Sequence, residues 1–134
     1  MKKITTFLFL CMFGTSLTRA QSKQSWSEGL IITPERSNFE KTSTYGEVMN
    51  FLTAIKGMSP YIHISSLGKS TLGKDIPLVI LAKPGISTPQ QARASRKPVI
   101  YIQGNIHGGE VEGKEVTMML MRDILLGKKS YLLD

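Results

Sequence analysis

An apolar run at 99–103 leads through the glycine-rich turn "GNIHGGEVEGKE" into a second apolar run at 116–126, which stops at Gly127. The first run follows a proline and has the length of a buried strand, whereas the second has the length of a helix. Together they predict a strand, a turn and a helix, and so an α/β chain. In open α/β sheets such a turn lies at the carboxyl end of a strand, where ligands tend to bind.

The rest of the chain predicts partners for that unit. In "TSTYGEVMNFLTAIKG", Thr44 and Glu47 have capping-box spacing, and Tyr45, Val48, Met49, Leu52 and Ile55 recur with helical period before Gly57. This predicts a helix that covers a sheet with one apolar face. Residues 61–67 and 76–81 read as two strands of an antiparallel hairpin, with Gly68 and Gly73 in the turn-rich stretch between them. His63 alternates with Ile62 and Ile64, so it is expected on the opposite face as an ordinary strand residue. Residues 84–97 read as a polar, proline-bounded loop, and no internal repeat is visible.

The N-terminus predicts export. "MKK", a short apolar run over 4–13 and "TRA" ending at Ala20 have the layout of a secretory signal over residues 1–20, followed by a Ser/Gln-rich leader over 21–29. The run is shorter than the roughly 20 residues that span a bilayer. The expected product is secreted or periplasmic, with no membrane segment after cleavage. Bulky Leu10 before Cys11 argues against a lipoprotein signal. Cleavage would remove the only cysteine, leaving packing or a metal to stabilise the fold. It would also remove Lys2, Lys3 and Arg19, lowering the net charge from +7 to +4. The remaining basic residues are dispersed without interleaved aromatics, which excludes a nucleic-acid surface. At 134 residues the chain suits one globular unit.

The turn itself fits three chemistries. A phosphate loop would use Gly104, Gly108, Gly109 and Gly113 before a helix, but GxGxxG is absent, Glu115 follows Lys114 where Ser or Thr is required, and Glu110 and Glu112 would repel an anion. A plain glycine turn carrying a histidine is the second, and H-x-x-E alone does not exclude it. The third is a zinc site. Imidazole and carboxylate are both zinc ligands, and His107 and Glu110, three residues apart where a helix begins, can face one ion. Gly108 and Gly109 would let the backbone bend between them. A carboxylate there also sits at the positive end of the helix dipole.

"GNIHGGEVEGKE" after an apolar strand resembles the H-x-x-E zinc motif of the metallocarboxypeptidases related to carboxypeptidase A. "TPERSNFEKTSTYGEVMNFL", "SSLGKSTLGKDIPLVIL" and "MMLMRDILLGKKSYLLD" are similar to the N-terminal part of secreted bacterial members, so the resemblance runs from Thr33 to Asp134.

The resemblance implies that residues 30–134 are the N-terminal portion of a mixed-sheet α/β/α zinc carboxypeptidase fold. It makes His107 and Glu110 two of three zinc ligands, and peptide or protein C-termini the substrates. It also implies that a third ligand, a histidine, together with substrate-binding arginines and a glutamate base, lies beyond Asp134, as does a strand between the hairpin and residues 99–103. The chain alone is then expected to bind zinc weakly and to leave peptides intact. Glu112 and Glu115 are expected to act as charges at a helix start. A non-catalytic remnant and a related zinc deacylase are the alternatives. Nothing in the sequence indicates side-chain specificity or oligomeric state.

Overall fold

The computed structural model describes residues 28–134; the expected signal, and the leader as far as Ser27, lie outside the described residues. A short 3-10 turn, Glu28–Leu30, opens the chain and is followed by α1 (Thr33–Arg36). Next come α2 (Tyr45–Lys56), the strands β1 (Ile62–Lys69) and β2 (Asp75–Leu81), α3 (Pro89–Ser95), α4 (Glu112–Leu125) and a last 3-10 turn, Ser130–Leu133. The architecture is mixed α/β.

α2 forms where its capping box is written. Thr44 Oγ1 accepts the Glu47 N–H at 3.3 Å, and Glu47 Oε2 accepts the Thr44 N–H at 2.7 Å, so two amides that the helix cannot pair internally are satisfied. Phe51, Leu52 and Ile55 are buried on its inner face. Tyr45, expected on that face, is instead exposed, with the Lys74 ammonium 5.1 Å from its ring centre. Beside the Thr44 amide and the hydroxyls of Thr33 and Thr44, the Glu47 carboxyl is pulled down to about 2. A depressed carboxylate stabilises the folded chain above the ordinary glutamate range, and that contribution fades as the pH falls towards 2. Glu47→Gln is therefore expected to flatten the loss of stability on acidification below about pH 4.5, read by urea unfolding at stepped pH. An unchanged acid profile would contradict this role.

β1 and β2 pair antiparallel, with Ile62 opposite Leu81 and Ile64 opposite Val79. These four side chains pack against the core, while His63, opposite Ile80, belongs to the other face, as the alternation predicts. The core itself is built by Leu30, Ile32, Phe51, Leu52, Ile55, Met118 and Met121, so the N-terminal segment, α2, α4 and the hairpin close around one centre.

α4 presents Glu115, Met118, Met121 and Arg122 inward at helical spacing. Two of these four are charged, and each has dedicated partners. The Arg122 guanidinium donates to both Glu35 carboxylate oxygens at 2.6 Å and to the Leu30 carbonyl at 2.7 Å. The hydrogen-bonded guanidinium holds Glu35 below the usual carboxylate range, against the opposing pull of burial. Gly127 closes the helix with φ 91°, a left-handed conformation that glycine adopts freely.

Two further expectations are corrected. Residues 84–97 are not all loop, because α3 starts at Pro89 behind a second capping box. Thr88 Oγ1 accepts the Gln91 N–H at 3.2 Å, and Gln91 Oε1 accepts the Thr88 N–H at 3.1 Å. None of its residues is buried, so it lacks the apolar period that marks a packed helix. Residues 99–103 were expected as a buried strand, yet no strand forms and Val99 and Ile100 are 78% and 81% exposed. Among the described residues the sheet has only two strands, so this segment has no ladder to join.

Candidate metal centre

The turn between residues 104 and 113 is closed at its base by a backbone crossing. A Cβ on Gly104 would come within 2.7 Å of the Gly113 carbonyl carbon and 2.8 Å of the Lys114 nitrogen, so only glycine permits the approach. Gly113 is reciprocal, since a Cβ there would lie 3.1 Å from Gly104 Cα. Gly108 and Gly109 form the turn between His107 and Glu110, as expected, but the geometry does not demand glycine at either position. Neither backbone is left-handed, and a Cβ on either would meet nothing within 4 Å. The left-handed residue of the turn is Asn105, with φ 61°.

Within this loop the Glu110 N–H donates to the His107 carbonyl at 3.1 Å, which folds the chain back and turns both side chains the same way. His107 Nδ1 lies 3.0 Å from Glu110 Oε1. Two donors sharing a tetrahedral zinc at about 2.0–2.2 Å are separated by about 3.3–3.6 Å. The observed 3.0 Å is a direct hydrogen bond, which an ion bridging the two atoms would replace, and the donor chemistry suits the ion. Both side chains are open to solvent, 76% and 66% exposed. His63 is on the hairpin, and among the described residues no third His, Cys, Asp or Glu stands with the pair in a metal-holding group.

The helix behind the turn is anchored in a way the sequence did not suggest. Val111, at the N-cap of α4, makes no side-chain cap. The first turn is held instead by Glu115, whose Oε1 accepts from Thr42 Oγ1 at 2.7 Å and from the Ser43 N–H at 2.6 Å, while Oε2 accepts from Ser43 Oγ at 2.8 Å. Lys114 Nζ, 3.1 Å from Oε1, also donates to Thr42 Oγ1. Burial opposes ionisation of Glu115, but these hydrogen bonds outweigh it and hold the carboxyl below its usual range. Glu112 fits its expected place as a charge at the helix start. Glu115 departs from it as a buried tether across 72 positions of sequence. The nearest signal was the hydroxyl run Thr42, Ser43 and Thr44, of which capping explains only the last.

A cavity of about 280 Å³, lined in part by Ile32, Arg36, Ser43, Glu47, Phe51 and Met118, includes neither His107 nor Glu110. The candidate centre is an open turn.

The family model of the zinc carboxypeptidases, peptidase family M14, matches residues 48–131, a span that holds most of α2, the hairpin, the turn and α4. The chain belongs to the zinc carboxypeptidase family. No curated protein and no solved structure matches it. Zinc dependence and peptide substrates are general to this family, and the mixed α/β architecture agrees with part of its fold. Among the described residues no helix is long and apolar enough to cross a membrane.

Proposed function

We propose that this chain contributes to a secreted or periplasmic zinc carboxypeptidase, with His107 and Glu110 as two ligands of the catalytic zinc and the C-terminus of a peptide or protein as substrate. The observation that carries the proposal is that His107 and Glu110 turn to the same side of a glycine-clasped turn, where Nδ1 and Oε1 meet in a 3.0 Å hydrogen bond. The family match supports the same chemistry.

When bound, zinc supplies Lewis-acid polarisation of a peptide carbonyl and a water made acidic enough to act as a nucleophile near neutral pH. The protein's own share at this turn is to offer one nitrogen and one carboxylate oxygen on the same side of a loop whose base is closed by the contact of Gly104 with Gly113. The exposure of both side chains leaves room for a peptide to approach. Two donors leave further positions on a four-coordinate ion to be filled. On that count the 134-residue chain by itself holds zinc weakly and does not hydrolyse peptides. The same count gives a second reading, in which the chain binds a metal or a partner without catalysis.

The natural gene product, purified from the exported fraction, tests the proposal. It is expected to carry zinc and to release C-terminal residues from N-blocked peptides, with both properties lost in His107→Ala. An exported product without zinc, or one with zinc but no release from any C-terminus, would overturn the catalytic assignment and leave the second reading.

A further inference from the structure

The metal-binding turn has no side-chain cap where it enters α4, yet the first turn of that helix is tethered by four side-chain hydrogen bonds to a distant segment of the chain. All of its tethers run to Thr42 and Ser43, the two residues before the N-cap of α2. The two helix N-termini are thus joined by one buried carboxylate. Glu115 follows the glycine that clasps Gly104 by only two positions, and the clasp sets the span in which His107 and Glu110 sit. A shift of the first turn of α4 would therefore move Gly113 against Gly104 and change the distance between Nδ1 and Oε1. Glu115 touches neither side chain, and nothing in the proposed chemistry uses it.

We infer that Glu115, held by Thr42 and Ser43, is a positioning residue for the zinc ligands His107 and Glu110. The inference rests on the proposed metal site. Buried partners that orient ligands affect metal affinity although they never touch the ion. Glu115 does so at one further remove, through the helix start and the glycine clasp. Thr42 and Ser43 belong to the same unit, because without them the carboxylate would be buried with fewer donors and the helix start would lose its anchor on α2.

The test uses the intact 134-residue chain and zinc alone, followed by nitrogen-15 NMR of the two histidine rings. Glu115→Ala is expected to weaken zinc binding at His107 about tenfold. It should also alter the metal-free Nδ1 resonance of His107, because the hydrogen bond to Glu110 would lose its fixed geometry. Thr42→Val combined with Ser43→Ala should have the same effect without touching α4, and Gly104→Ala should reproduce it through the clasp. Glu115→Gln, which keeps an acceptor for the Ser43 amide, should recover part of the affinity. Core methyl signals from Met118 and Ile55 report whether each variant is folded. Unchanged affinity and unchanged His107 resonances in the folded variants would overturn the inference while leaving the metal site standing. Loss of folding in every variant would also overturn it, since the tether would then be structural only. A parent chain whose His107 ring ignores zinc would remove the metal site and the inference with it.

Discussion

Arg122→Ala is expected to lower the stability of the chain by about 3–5 kcal/mol. Arg122 is only 4% exposed, and its guanidinium bonds at once to both oxygens of Glu35 and to the carbonyl of Leu30. Removing it strands a partly buried carboxylate and a carbonyl at the point where α4 meets the N-terminal segment. Breaking a buried ion pair from one side costs about 3–5 kcal/mol, against a total stability of about 5–15 kcal/mol for a domain. With a single cysteine in the whole chain, no internal disulfide can offset the loss. Arg122→Lys should rescue little, because a single ammonium cannot reproduce the planar fork that meets both carboxylate oxygens. Urea unfolding followed by circular dichroism measures the effect. An alanine variant with the midpoint of the parent would show that the Glu35 and Leu30 contacts contribute nothing to the fold.

The elements that rest on local rules were legible in the sequence. α2 follows from a capping box and a helical apolar period, the hairpin from alternation around glycines, and α4 from an apolar run ending at Gly127. α3 was missed because its residues are polar and exposed, so its only sign was the pairing of Thr88 with Gln91. Residues 99–103 misled for the opposite reason. Their composition is that of a strand, but a strand exists only through hydrogen bonds to a neighbour, and no neighbour lies beside them among the described residues. The two charged residues on the inner face of α4 were illegible as such. Arg122 and Glu115 are explained by Glu35, Thr42 and Ser43, which lie 72 to 87 positions away, and no local pattern reports such pairs.

At the turn, the residue types and spacing of His107 and Glu110 were enough to nominate them, and the structure sets their donor atoms 3.0 Å apart. The bend falls at Gly108 and Gly109 as read, but the close approach of Gly104 to Gly113 at the base of the loop, where only glycine fits, had no sign in the sequence. The second large effect is expected here. Losing a group that merely orients a ligand costs about 10–100-fold in metal affinity, so losing a ligand should cost at least as much. His107→Ala and Glu110→Ala should each reduce zinc binding by about a hundredfold or more, beyond detection for a weak site. His63→Ala should leave binding unchanged, since that ring belongs to the hairpin opposite Ile80. Isothermal titration of the three variants separates these cases. Equal losses in all three would point to adventitious binding by any exposed imidazole.

The most direct measurement is a zinc titration of the unsubstituted chain with both histidine rings in view. The geometry requires His107 Nδ1 to shift and saturate while His63 stays still. Rings that respond alike, or a His107 that never responds, would contradict the metal centre.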